Sequence, residues 1–210
     1  MIEISQHKQN IIGARSAIEA LETKDHARLL VISDSHGRYP VFESIVRGYG
    51  AECDALIFCG DGVSDIATLL YKQKSDKALA ACVPPVIAAV RGNCDPSSYP
   101  LDNGSLYFSE LVELKVNGRG ILITHGHNQG VDFGVENLGL EMQVSECNTA
   151  FYGHTHVARE DNIKNFKMVN PGSCARPRGG QPACFAIATV EKSFVDIAFI
   201  TTEGKIWSPF

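Results

Sequence analysis

The chain has 210 residues, with 19 Lys and Arg against 24 Asp and Glu for a formal charge of −5, and it is 44% hydrophobic and 20% charged. That is enough apolar material for the core of one domain and too little charge for a disordered chain. The acidic balance provides no basic face to release counterions from phosphates, which argues against general nucleic-acid binding.

Met1 to Asn10 is polar and mixed in charge, without the basic-then-apolar order of an export signal. Ile11, Ile12, Ala14, Ile18 and Leu21 recur at helical spacing, so a helix is expected over Ile11 to Leu21, within an N-terminal extension of residues 1–28. A main domain over residues 29–210 follows. In it, short apolar runs each end in a polar cluster. Leu29 to Ile32 leads into Ser33-Asp34-Ser35-His36, and Ala55 to Cys59 into Gly60-Asp61. Val86 to Val90 leads into Arg91-Gly92-Asn93, Ile121 to Ile123 into Thr124-His125-Gly126-His127, and Ala150 to Tyr152 into Gly153-His154-Thr155-His156. Runs of this kind are the signature of buried strands.

Val41 to Tyr49, Ser64 to Ala80 and Val131 to Val144 are expected to be helices, while Leu106 to Val116 alternates and meets a hairpin signal at Asn117-Gly118. Ala183 to Val190 and Phe194 to Thr201 read as a closing antiparallel hairpin. The sum is a mixed α/β sandwich. The least charged stretch, Ala78 to Val90, is too short to span a bilayer and is broken by Pro84-Pro85, so no membrane segment is expected. Seven cysteines, none spaced C-x-x-C, read as reduced thiols of a cytoplasmic protein, not as a disulfide framework or zinc site.

In open α/β sheets ligands bind beyond the carboxyl ends of the strands, so polar clusters recurring roughly every 30 residues point to one shared site. The donors Asp34, His36, Asp61, Asn93, His125, His154 and His156 mix carboxylate or amide oxygen with imidazole nitrogen, a set that suits divalent manganese, iron, zinc or cobalt. Asp34 and His36 are two apart, as are His154 and His156, and on an extended strand end such pairs project to one side. His127 meets the same spacing rule as His156, so periodicity alone leaves it open as a ligand. Seven donors exceed one tetrahedral site but fill two if a carboxylate bridges, and two metals clamp a phosphoryl group for in-line attack.

The ordered set Asp34-Ser35-His36-Gly37, Gly60-Asp61-Gly62-Val63-Ser64-Asp65, Gly92-Asn93, His125-Gly126-His127 and Gly153-His154-Thr155-His156 resembles the calcineurin-like metallophosphoesterase superfamily. Asn170-Pro171-Gly172-Ser173 and Arg176-Pro177-Arg178-Gly179-Gly180 resemble its small prokaryotic phosphodiesterase branch. The resemblance implies a four-layer α/β/β/α sandwich of two mixed sheets flanked by helices. It also implies two divalent ions per chain, manganese first, with zinc, iron, cobalt or nickel as alternatives. One would be held by Asp34, His36, Asp61 and His156, the other by Asp61, Asn93, His125 and His154, with Asp61 bridging and a metal-bound hydroxide attacking a small phosphodiester. Asp61 and Asn93 would be catalytic, with Cys94, Asp95, His127 and Arg178 beside the substrate. The family usually places a His after the metal-binding Asn as proton donor; Cys94 stands there instead, which implies narrower activity toward good leaving groups. A catalytically weak binding scaffold and a phosphomonoesterase are the alternative functions. The N-terminal helix is assigned a structural or self-association role, compatible with a homo-oligomer.

Overall fold

The computed structural model describes residues 5–7, 10–101 and 104–209, so much of the opening segment read for an export signal lies outside the described residues. The chain begins with β1 (Gln6–His7), β2 (Ile11–Gly13), α1 (Arg15–Thr23), β3 (His26–Ile32), α2 (Tyr39–Tyr49), β4 (Ala55–Phe58), α3 (Val63–Lys72), α4 (Lys77–Cys82) and β5 (Val86–Ala89). A small hairpin of β6 (Ser98–Leu101) and β7 (Gly104–Tyr107) leads into β8 (Leu111–Val116), β9 (Arg119–Thr124), α5 (Glu136–Val144) and β10 (Thr149–Phe151). The chain closes with β11 (Arg159–Ile163), β12 (Phe166–Asn170), β13 (Cys184–Glu191), β14 (Val195–Thr201) and β15 (Ile206–Trp207).

An eight-stranded sheet runs β1-β2-β5-β4-β3-β13-β14-β15, and a five-stranded sheet runs β11-β12-β10-β9-β8. β3, β4 and β5 are parallel, with Leu30 opposite Leu56 and Leu56 opposite Ile87, and β9 and β10 are likewise parallel. Burial explains the four layers. Leu29, Val31, Ile57 and Ala88 face the second sheet, where Val112, Leu114, Ile121, Ile123, Phe151 and Val169 meet them. The alternate residues Leu30, Ile32, Leu56, Phe58 and Ile87 face outward under Phe42, Ile45 and Val46 of α2 and Ile66, Leu69 and Leu70 of α3. On the far side, Leu122, Ala150, Tyr152 and Met168 are covered by Leu138 and Met142 of α5. Strands buried on both faces need unbroken apolar runs, and each such side chain contributes roughly 1.5–3 kcal/mol of burial. The expected α/β/β/α sandwich is the observed one.

Several local expectations are corrected. Ile11 and Ile12 are not helical: they pair with Ala88 and Ile87 on the free edge of β5, Ile12 is fully buried, and the helix starts only at Arg15. Edge pairing outweighs a helical period carried by few residues. The single helix expected over Ser64 to Ala80 is two, parted at residues 73–76, with the Asp76 carboxylate accepting from Leu79 N at 2.9 Å to start α4. Val131 to Val144 is helical only from Glu136, and β11 and β12 form an antiparallel pair where no strand was expected. The closing hairpin of β13 and β14 lies where it was expected. Among the described residues no helix is long and apolar enough to cross a membrane.

Candidate metal centre

The parallel strands β3, β4, β5, β9 and β10 deliver their C-terminal ends to one edge of the sandwich, and the polar clusters meet there. Asp34, His36, Asp61 and His156 each bring one ligand atom to within 4.8 Å of the others. His36 Nε2 lies 3.1 Å from His156 Nε2, His156 Nε2 lies 3.2 Å from Asp34 Oδ1, and His36 Nε2 lies 3.7 Å from Asp61 Oδ2. On the other side of Asp61, His125 Nε2 is 3.6 Å from Asp61 Oδ1 and 3.2 Å from Asn93 Oδ1, and His154 Nδ1 is 3.0 Å from the same Asn93 oxygen. The two oxygens of Asp61 therefore face the two halves of the cluster. Asp34, Asp61, His125 and His156 form its buried floor, and Asn93 and Cys94 its exposed rim.

Hydrogen bonds behind the cluster fix which ring nitrogens carry protons. A carbonyl can only accept, so His125 donates from Nδ1 to Cys59 O at 2.7 Å and His156 donates from Nδ1 to Arg176 O at 2.7 Å. In their neutral forms the two rings turn Nε2 lone pairs inward. His154 Nε2 meets the Asp132 carboxylate at 2.8 Å, which leaves its Nδ1 lone pair pointing at Asn93 Oδ1. Nitrogen lone pairs packed against oxygen acceptors repel unless a cation sits among them, and Asp34 Oδ1 is buried without a hydrogen-bond partner among the described residues. Oxygen and imidazole donors in this ratio are the chemistry of a borderline divalent ion. The residues present fit such a group.

The carboxylates are further oriented: Asp34 Oδ2 accepts from Ser33 Oγ at 2.6 Å and His154 N at 3.2 Å, and Asp61 Oδ1 accepts from Cys94 N at 2.9 Å. Burial opposes ionisation of Asp61, but the His125 charge and the Cys94 hydrogen bonds leave its carboxyl below its ordinary range. Burial also drags His36 down, outweighing Asp61 and Asp34; at His156 the same penalty is overcome by Asp34 and the Arg176 carbonyl, and its pKa is raised. The Cys94 thiol is pushed up to about 11, first by its hydrogen bond to Asp61 and then by burial.

The backbone here is unusual. Asp34, His36, Asp61, His154 and His156 all have φ between +46 and +70°, five of eight such non-glycine residues among those described. Left-handed backbone at side-chain-bearing residues is costly and gathers at functional sites. Gly92 allows a close approach to the bridging position: a Cβ there would stand 2.1 Å from Asp61 Oδ1.

The remaining sequence-derived residues fall around this cluster. Arg176 and Arg178 line its mouth with His36, Asp61, Asn93, Cys94, His154, His156 and Pro177. His127 stands beside it, its ring 5.4 Å from that of His125, its Nε2 3.9 Å from Glu110 and its Nδ1 buried without a partner among the described residues. Asp95 binds backbone: its carboxylate accepts from Gly62 N, Val63 N and Gly92 N at 2.8 to 3.1 Å, tying the loop of Asp61 to that of Asn93. Sequence reasoning missed Asp132, which carries no periodic or motif signal and acts only through His154.

The description "Calcineurin-like phosphoesterase superfamily domain" matches residues 28–193 of the chain. The probable metallophosphoesterase YsnB of Bacillus subtilis (strain 168) is 30% identical over 84% of this chain and 92% of its own length. A solved structure from Streptococcus pneumoniae TIGR4, described as a predicted phosphoesterase, has a TM-score of 0.66 at 25% identity, covering 87% of this chain and 93% of that one. Vacuolar Protein Sorting 29 from Cryptosporidium parvum shares the fold, with a TM-score of 0.67 at 16% identity over 88% of this chain and 96% of that one. With the family match spanning most of the chain, and donors from five strand ends gathered at one edge of a four-layer sandwich, this chain belongs to the calcineurin-like phosphoesterase superfamily.

Proposed function

We propose that the chain is a cytoplasmic, metal-dependent phosphoesterase that hydrolyses small phosphodiesters at a two-ion centre. Asp34, His36, Asp61 and His156 would hold one divalent ion, and Asp61, Asn93, His125 and His154 would hold the other. The observation that carries the reading is the convergence of ring nitrogens: the inward His156 Nε2 lies 3.1 Å from His36 Nε2 on one side of Asp61, and His125 Nε2 and His154 Nδ1 lie against Asn93 Oδ1 on the other. A pair of divalent ions, manganese first, supplies charge neutralisation of the phosphoryl group and acidifies a water for in-line displacement.

The protein's own contribution is placement. Asp61 spans the two halves because each of its oxygens faces a different imidazole, while Asn93, with a single carbonyl oxygen, serves one half only. The Asp132, Cys59 and Arg176 partners hold the three imidazoles in the tautomers that face inward. Arg176 and Arg178 at the mouth receive the substrate's charge. The catalytic body is residues 29–210, with residues 1–28 as an N-terminal extension whose β2 joins the main sheet.

The test strips the protein of metal and measures hydrolysis of bis(p-nitrophenyl) phosphate and p-nitrophenyl phosphate before and after adding manganese, with metal counted by elemental analysis. Restored cleavage of the diester with about two ions per chain is expected. Preference for the monoester would replace the phosphodiesterase reading by a phosphomonoesterase one. Stoichiometric metal without turnover of either ester would favour a binding scaffold, and failure to bind metal would refute the site.

A further inference from the structure

We infer that the substrate of this site is a phosphoanhydride, a P–O–P linkage whose second phosphoryl group is held by Arg176 and Arg178; the inference rests on the phosphodiesterase reading above and specifies its substrate. These two exposed residues are the arginines that line the mouth. Neither guanidinium has a hydrogen bond or ion pair among the described residues, a state shared with the exposed Arg38 outside the mouth, whereas those of Arg28, Arg47, Arg91, Arg119 and Arg159 are each anchored to a carboxylate or a carbonyl. Two free guanidinium forks beside a phosphoryl site are suited to bidentate grip on a second phosphate.

The loop that bears them is built into the metal cluster. Ser173 Oγ donates to Asp34 O at 2.8 Å and accepts from Arg176 N at 2.7 Å. His156 Nδ1 donates to Arg176 O at 2.7 Å, and Arg178 N donates to His156 O at 3.1 Å. Pro177 fixes the backbone between the two arginines. The roots of both side chains are thus held relative to Asp34 and His156, so the second phosphate meets a prepared surface.

The rest of the mouth points the same way. Apart from the candidate ligands, Arg176 and Arg178, it is lined among the described residues by Cys94 and Pro177, with no additional carboxyl or imidazole there to hand a proton to a departing alkoxide. A phosphate leaving group needs none, because its second ionisation lies near pH 6 and it departs as an anion. The step balances as follows. The oxygen of one water bonds to the first phosphorus, and the bond from that phosphorus to the bridging oxygen breaks. The electron pair stays on the bridging oxygen, now part of the second phosphate beside the guanidiniums, and the protons of the water pass to solvent or to a product oxygen.

The experiment compares diadenosine pyrophosphate with bis(p-nitrophenyl) phosphate as substrates of the manganese-loaded full chain, wild type and R176A/R178A. The expected result is a higher kcat/KM for the anhydride in the wild type, and a fall of about 100-fold in the ratio of the two kcat/KM values in the double variant. R176K/R178K keeps the charge without the fork and is expected to restore only part of the ratio. Cleavage of the aryl diester with an inert anhydride, or a ratio unmoved by either variant, would overturn the inference and leave the phosphodiesterase reading standing. Failure to cleave both compounds with metal bound would overturn the two together.

Discussion

Gly92→Ala is the sharpest perturbation that the geometry allows. The added methyl would stand 2.1 Å from Asp61 Oδ1, 2.7 Å from Asp61 N and 2.8 Å from Asp61 Cγ, where ordinary contact begins near 3.4 Å. Two of those atoms belong to a buried carboxylate and the third to backbone, so no flexible side chain can swing aside. Gly92 N is also held by Asp95 Oδ2 at 2.9 Å, which prevents the strand end from yielding alone. The Asp61 carboxylate must retreat by about 1 Å, a displacement that costs about 100-fold in rate when it falls on a group that positions reactants. Overpacking of this kind costs about 1–3 kcal/mol, which lowers the Tm of a chain this size by roughly 2–12 °C. The assay is steady-state hydrolysis of bis(p-nitrophenyl) phosphate with manganese, alongside a thermal melt and a metal count. A variant with wild-type kcat, Tm and metal content would refute the claim that Asp61 fills the space beside Gly92.

Two further predictions concern groups away from the bridging carboxylate. Asp132→Ala frees His154 Nε2 and should weaken manganese binding at the half of the centre that His154 serves by about 10- to 100-fold, with the other half unaffected; a calorimetric isotherm identical to wild type would exclude a positioning role. On the helical face, burial opposes ionisation of Glu43, but hydrogen bonds from Arg47 at 2.6 Å and Lys72 at 3.1 Å win, and its pKa is lowered. A carboxyl depressed in the folded state adds stability in full above its unfolded value near 4.3, and loses it as pH falls through the lower folded value. Glu43→Gln should therefore lower Tm at pH 7 by an amount worth at most about 1 kcal/mol and flatten the acid side of the Tm profile; equal slopes below pH 5 in both proteins would contradict this.

How much was legible in the sequence follows from what kind of force placed each element. β3, β4, β5, β9 and β10 were readable because strands buried on both faces need continuous apolar runs, and the gathering of the polar clusters at one edge because each cluster ends such a run. Ile11 and Ile12 misled because their helical spacing is also the composition of a short strand, and only the unsatisfied edge of β5 decides between the two. The break at residues 73–76 depends on a cap from Asp76 that competes with a good helical pattern. Asp132 was invisible because its role exists only through a contact with His154, 22 residues away in the chain. Asp95 carried a motif position but not its occupation, which is to clamp three backbone amides.

The left-handed backbone at Asp34, His36, Asp61, His154 and His156 bears on how such a chain changes over generations. Each of these conformations is one that glycine adopts freely and a branched-out side chain adopts at a cost of about 1 kcal/mol or more. Selection for folding alone would weigh that strain against the contacts the side chains make, such as the hydrogen bonds that Asp34 accepts from Ser33 and His154, and each replacement by glycine would release strain while removing part of the site. A lineage released from its chemistry would lose this strain as it shed the centre and kept the sandwich, whereas regaining the centre would mean taking the strain on again at five positions. Inheritance of this fold without its activity is the easy direction, and the intact set in this chain is what continued use would preserve.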